Sequence, residues 1–225
     1  MPALMPSASL LILADGRLPA GGHAHSGGLE AAVEAGAVTD LAGLEAFLRG
    51  RLTTAGLVAA GLAAAAWTLA TRAAGTGDGW AALDAEADAR MPSPGQRAAS
   101  RAQGRALLRV ARAAWPHPAL DLLGLIGRAP HHPLVLGAAV AGVGTREQAA
   151  SLAALHAVSG PASAGVRLLS LDPIAVTGLL AGLAPVVDRV AADAAAAEVP
   201  PAAGAPLLEK YAETHRRAEV RLFAS

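Results

Sequence analysis

The apolar positions of this chain are filled mainly by alanine, leucine and valine, and this constrains the fold more than any other feature. Hydrophobic residues make up 53% of the sequence and aromatic residues only 3%. A core without large rings needs many small side chains at close spacing, and alanine and leucine lead the helix propensity scale, with arginine close behind. Strands would call for β-branched and aromatic residues alternating with period two, and no such run is present. The expected fold is all-α. With 225 residues the chain can bury a sizeable core. The expectation is a single compact bundle of about eight to ten helices over residues 1–225, joined by short connections.

Proline and glycine punctuate the pattern. An apolar segment, Leu10 to Ala14, leads into a loop at 15–28 with turn formers Pro19, Gly21 and Gly22. A short helix is expected from Gly28 to Ala35, closed by Gly36. Asp40 fits an N-cap for a helix with Leu41, Leu44, Phe47 and Leu48 on one face. The uncharged stretch Leu52 to Thr71 continues it as far as a break at Gly75 to Gly79. Further helices are expected at Trp80 to Arg90, Gln96 to Ala114, Ala119 to Arg128, Pro133 to Gly142 and Thr145 to Ser159. Thr145 and Gln148 have the spacing of a capping box. Pro161 is read as opening the next helix, since proline suits the first turn. Pro173 to Ala197 is a long helix interrupted near Pro185. Val199 to Pro206 is a linker, and 207–225 is a helix and an end segment.

The formal net charge is zero, which argues against a nucleic-acid or membrane-surface binder. There is no cysteine, so disulfides, thiol nucleophiles and thiolate zinc sites are excluded. Met1 to Ala14 lacks the basic start of a signal peptide. Leu52 to Thr71 has membrane-span length, but its Ala, Gly and Thr content and the flanking Arg49, Arg51 and Arg72 favour a buried helix of a soluble protein. A cytoplasmic location is the default.

Some segments hold residues suited to chemistry or recognition. His23 and His25, two apart in a glycine-rich loop, are of a type that binds borderline metals such as nickel or copper, or they are hydrogen-bonded loop side chains. Glu30 opens a helix, where the dipole favours a carboxylate. Arg97, Arg101, Arg105 and Arg109 recur every four residues and point to one helix face. That face either binds an acidic or phosphorylated partner or is solvated and paired with Asp84, Glu86 and Asp88. Gly104 in this helix suggests close helix approach. His131 and His132 precede an apolar helix, and adjacent histidines project differently, which favours a capping or structural role. Arg167 sits in an apolar stretch and needs a partner or an interface. His215, Arg221, Leu222 and Phe223 lie near the end, where an apolar pair suggests docking to a partner groove or packing on its own domain.

Taken in order, these segments resemble the UreF family of urease accessory proteins. The resemblance rests on Leu18, Pro19, Gly21, Gly22, Ser26, Gly28, Leu29 and Glu30; on the helix with Arg97 or Arg101, Ser100, Gln103 and Gly104; on the histidine-proline entry before Gly137; on Arg167, Leu168 and Leu171; and on His215, Arg221, Leu222, Phe223 and Ser225. The sequence departs from the family where His23 and His25 replace frequent aromatics. It departs again where Ser170, Asp172, Pro173 and Thr177 replace a proline, a glycine and glutamines.

The resemblance implies a non-catalytic nickel-insertion chaperone. It would form a homodimer and bridge a UreD/UreH-type scaffold and the nickel-carrying UreG GTPase on apo-urease, coupling GTP hydrolysis to nickel transfer. No cofactor would be held permanently, and nickel would be handled by the complex. Partner contacts would involve Glu30, Arg97, Arg101, Arg105, Arg167, His215, Arg221, Leu222 and Phe223. The sequence contains no Walker A, dinucleotide-binding, His-Glu-x-x-His or Gly-x-Ser-x-Gly pattern. The competing readings are a helical metal-binding protein or metal-dependent hydrolase using His23, His25 and His131, and a helical membrane protein built on Leu52 to Thr71.

Overall fold

A computed structural model describes residues 7–20, 22–72 and 77–225, and the His23 side chain lies outside the description. The helices are α1 (Ala8–Ala14), α2 (Leu29–Glu34), α3 (Leu41–Arg51), α4 (Leu57–Thr71), α5 (Gly77–Ala89), α6 (Pro94–Ala114), α7 (Pro118–Gly124), α8 (His132–Ala141), α9 (Arg146–Leu168), α10 (Pro173–Ala196) and α11 (Pro206–Arg217). A 3-10 turn covers Gly22–Ala24, and a π turn at Leu52–Gly56 joins α3 and α4 into one rod, Leu41–Thr71. No strand occurs among the described residues, and the fold is an all-α bundle.

The small-residue composition is used at the centre. Helix α4 buries Ala60, Gly61, Leu62, Ala63, Ala64 and Ala66 and is packed by α8, α9 and α10. Helix α8 is buried from Pro133 to Val140. The two approach so closely that a methyl group on Gly137 would overlap the Ala63 carbonyl. Gly104 plays the same part between α6 and the entry to α8, against the backbone of Pro130 and His131, as its place in the helix suggested. Backbone cannot retreat cheaply, so alanine at either position would overpack the interface by about 1–3 kcal/mol. Trp80 is the one fully buried aromatic residue among the largest core side chains.

Caps set the helix starts. Ser7, Asp40, Ser93, Thr145 and Asp172 each accept a hydrogen bond from a first-turn amide, and Thr145 with Gln148 forms the capping box read from the sequence. The divergent segment Ser170–Pro173 is a working helix boundary. Ser170 takes φ 51 just after α9, Asp172 caps Ile174 N–H at 3.0 Å, and Pro173 occupies the first turn of α10.

Several boundaries differ from the sequence reading. Pro161 does not open a helix but lies inside α9, which runs unbroken from Arg146 to Leu168. Proline removes the bond to the carbonyl four residues earlier, here that of Ala157, and Arg51 Nε donates to this carbonyl at 2.8 Å instead. Pro185 likewise does not interrupt α10. Its orphaned acceptor belongs to Ala181, an exposed residue that water can reach. Helix α5 starts at Gly77, before Trp80, and α7 ends at Gly124, short of Arg128.

The rod Leu41–Thr71 and helix α10 are both long and apolar enough to cross a membrane by length and composition. Within this fold α4 is a core helix. Helix α10 leaves Ile174, Thr177, Gly178, Ala181 and Gly182 exposed.

Candidate functional site

Widely separated motifs meet at a clamp between the N-terminal loop and the C-terminal segment. Helix α11 packs on α2 and α6. It buries His215, whose Nε2 lies 2.8 Å from Glu30 Oε2 on α2. Beyond α11 the chain turns back over Glu30, which accepts from Leu222 N–H at 2.7 Å and Phe223 N–H at 3.1 Å. Glu30 is only 3% exposed. A buried carboxylate persists when donors surround it, and two amides and an imidazole do so here.

The same segment is pinned from the other side. Ala224 N–H donates to Ala24 C=O at 2.7 Å, and the Ser225 carbonyl accepts from Ser26 N–H and Gly27 N–H. Ser26 Oγ donates to that carbonyl at 2.8 Å. His25 Nδ1 lies 2.7 Å from Ser225 Oγ. Phe223 is a buried member of the core, and the guanidinium of exposed Arg167 lies over its ring, 4.7 Å from the centroid. Leu222 and Val220 point outward, 76% and 82% exposed, with Arg221 exposed between them.

Arg51 lies beneath this clamp. Besides Ala157 it donates from Nη1 to Gly27 C=O at 2.8 Å, and burial lowers its pKa to about 10. It therefore keeps its charge at neutral pH. The structure thus brings together Glu30, Arg167, His215, Leu222 and Phe223, which the sequence singled out separately. It draws in His25, Ser26 and Ser225 from the same motifs and adds Arg51. Arg51 was legible only as a charge flanking an apolar run.

The arginine stripe divides. Steps of four residues drift about 40° around a helix each time, so its members do not share one environment. Arg101 faces α5 and the entry to α8. Its Nη2 lies 2.9 Å from Asp84 Oδ2 and 2.8 Å from Asp88 Oδ1, and its Nη1 donates to Ala129 C=O at 2.6 Å. Arg97 Nη1 donates to the carbonyls of Met91 and Pro92. Arg105 and Arg109 are exposed.

Asp84 and Asp88 also pair with Arg128, at 2.9 and 3.1 Å. His131 is fully buried, with Nε2 2.8 Å from Asp88 Oδ1 and Nδ1 3.0 Å from Ser100 Oγ. Burial pushes the His131 pKa down against the pull of Asp88. Burial alone would raise Asp88, but hydrogen bonds from His131 and Arg101 hold it below the ordinary carboxylate range. His131 is thus neutral at pH 7, and the partners favour Nε2–H facing Asp88 and Ser100 O–H donating to Nδ1.

Asp84, Asp88 and His131 place one ligand atom each within 4.8 Å of one another, a spacing a metal ion accepts. Two guanidinium groups already neutralise these carboxylates, so the cluster acts as an internal ion network. The neighbouring His132 turns elsewhere, its ring 5.7 Å from that of His156. The adjacent histidines therefore do project differently. The His23–His25 pair is described only through His25, because the His23 side chain lies outside the described residues.

A further clamp joins α11 to the start of α6. Glu213 Oε1 accepts from Ser93 Oγ and Gly95 N–H, both at 2.7 Å, and its Oε2 pairs with Arg216 at 3.0 Å. The bond from Ser93, then that from Gly95, and the Arg216 pair lower the Glu213 pKa to about 2.

The buried polar side chains of the quoted motifs thus serve chain-to-chain clamps, and the clamps hold apolar and cationic side chains outward. They define an all-α bundle in which buried polar groups join distant segments of the chain. The UreF family model matches residues 38–184. The UreF urease accessory protein of Mycobacterium sp. (strain JLS) is 50% identical over 221 residues, covering 96% of this chain and 98% of the relative. Those of Mycolicibacterium vanbaalenii and Mycobacterium tuberculosis are 45% and 41% identical, each covering 97% of this chain and 98% of the relative. The chain belongs to the UreF family of urease accessory proteins. As such it is an accessory protein, not an enzyme.

Proposed function

We propose that this chain is a cytoplasmic nickel-insertion chaperone. In this reading it acts as a homodimer and bridges a UreD/UreH-type scaffold and the UreG GTPase on apo-urease, with nickel as cargo. Family membership supports the urease setting. The observation that carries the docking role is the Glu30 clamp, which fixes the backbone of Leu222 and Phe223 and leaves Leu222 and Val220 projecting. Exposed apolar anchors on an ordered segment lose little conformational freedom on binding, which favours affinity. Arg217 and Arg221 are exposed beside them, cations suited to an acidic rim on a partner. Self-association is supported by the uncharged exposed face of α10 around Gly178 and Ala181.

The test is urease activity and urease-bound nickel in a host lacking the chain, complemented by the full-length protein or by a Leu222→Asp variant. The expected result is nickel-poor urease without the chain, rescue by the full-length protein and little rescue by the variant. Unchanged nickel loading on deletion under limiting nickel overturns the chaperone reading. Full rescue by Leu222→Asp overturns the placement of the docking surface.

A further inference from the structure

A cleft of about 480 Å³ lies away from the clamp, between the second half of α4, the start of α9 and the segment after α10. Its walls include Gly61 and Thr68 of α4, Arg72 just beyond α4, Arg146 in the first turn of α9, and Glu198. The linker closes one side, because Pro201 packs directly on Gly61, where no side chain fits between them. A volume of this order suits a small ligand.

The charged groups of the cleft are poorly matched from within. Arg146 donates from Nη2 to the Ala197 carbonyl at 2.7 Å, which fixes the plane of its guanidinium. Its Nε is buried and has no acceptor among the described residues. Buried donors are nearly always paired, and one that is not calls for an explanation. Arg72 lines the same cleft, is exposed, and makes no ion pair among the described residues. Among the described residues Glu198 is the only acidic one in the lining. It forms no ion pair with either arginine and is itself exposed. The positive end of the α9 dipole adds to the field. Two guanidinium groups against one carboxylate that pairs with neither leave the cleft with an excess of positive charge.

We propose that this cleft is an oxyanion-binding site, in which Arg146 and Arg72 hold a phosphate or the carboxylates of a small polycarboxylic acid. Guanidinium groups recognise both through paired N–H···O bonds. Arg146, its guanidinium held by the Ala197 carbonyl, and exposed Arg72 flank the anion from two walls of the cleft. None of the lining residues belongs to the tail clamp.

The test is titration of the full-length chain with inorganic phosphate and, separately, citrate, at constant ionic strength set with chloride. Binding is read by calorimetry and by the NMR shifts of the arginine Nε–H groups. The expected result is saturable binding of at least one anion at one site per chain, a shifted Arg146 Nε–H resonance, and affinity at least ~10-fold weaker in Arg72→Gln and Arg146→Gln, a loss of ~1.4 kcal/mol. Arg109→Gln, an exposed arginine elsewhere, leaves binding unchanged. Phosphate binding alone selects a phosphoryl ligand, and citrate binding alone a polycarboxylate. If neither anion binds beyond chloride, or binding survives in Arg72→Gln, the proposal is overturned. Arg72 is exposed and makes no ion pair or side-chain hydrogen bond among the described residues, so its variant keeps the test decisive even where Arg146→Gln fails to fold.

Discussion

Glu30 and Phe223 stand 193 positions apart in the chain, and a 3.1 Å hydrogen bond from the Phe223 amide to the Glu30 carboxylate joins them. The Leu222 amide and His215 converge on the same carboxylate. Removing the acceptor strands these donors in a buried place, and unsatisfied buried donors cost about 1–3 kcal/mol each. Glu30→Ala is therefore expected to lower unfolding free energy by at least about 2 kcal/mol. Loss of amide hydrogen-exchange protection should be confined first to residues 218–225. Unchanged protection of the Leu222 and Phe223 amides in this variant would show that the tail is held by something else.

Leu222 and Phe223 are neighbours with opposite fates, and this separates folding from docking. Phe223 is 6% exposed and Leu222 76%. Phe223→Ala is expected to destabilise the protein by about 3–5 kcal/mol, as a core aromatic truncation does. Leu222→Ala should stay within about 0.5 kcal/mol of the parent. If the docking reading holds, Leu222→Ala also weakens binding to the scaffold partner, by about 1–2 kcal/mol for an interface anchor. Denaturant titration and a binding isotherm on each variant give the comparison. Equal effects on stability would contradict the outward placement of Leu222.

Acidification should unfold this protein through its histidines before its carboxylates. Burial, then repulsion from His156 and His25, lowers the His132 pKa from 6.5 to about 3. Burial also lowers His156, against a bond to the Leu13 carbonyl, and lowers His131. Between pH 6.5 and 3 the unfolded chain therefore binds protons that the folded chain refuses. Stability is then fully present above about pH 6.5 and falls as pH falls through that window. Asp88, whose folded pKa is depressed, adds its loss only at lower pH. Melting temperature should decline steadily from pH 6.5 to 4.5, and His156→Gln should flatten the decline. A melting temperature that rises over this interval would contradict neutral buried histidines.

The all-α class, the capping box at Thr145 and Gln148 and the close approach at Gly104 were legible because each follows from local rules. A cap spans one turn, and a glycine within a helix signals a nearby backbone. The clamp was not legible, although most of its members were singled out. Nothing in the spacing of Glu30 and Leu222 says that one closes over the other, and only the folded α11 brings them together. The arginine stripe follows the alternative of a solvated face paired with Asp84 and Asp88, and helix geometry says why its members part. A period of four is near the helical repeat but not equal to it, so Arg101 reaches Asp84 and Asp88 while Arg105 and Arg109 meet solvent.

Pro161 is the sharpest departure from local rules, and it leads to a coupled prediction. Proline in a helix interior costs ~3 kcal/mol or more, in part because it orphans a carbonyl. Here Arg51 Nε fills that vacancy at Ala157 and ties Gly27 of the clamp with its other arm. Arg51→Met is expected to destabilise the parent by about 2–3 kcal/mol, because it strands two acceptors that a charged donor had satisfied. In a Pro161→Ala background the restored amide can bond the Ala157 carbonyl, so the same Arg51 change should cost about 1 kcal/mol less. A double-mutant cycle by urea denaturation measures this coupling. A coupling energy near zero would mean that the Ala157 carbonyl gains nothing from Arg51, and that α9 tolerates Pro161 by some other means.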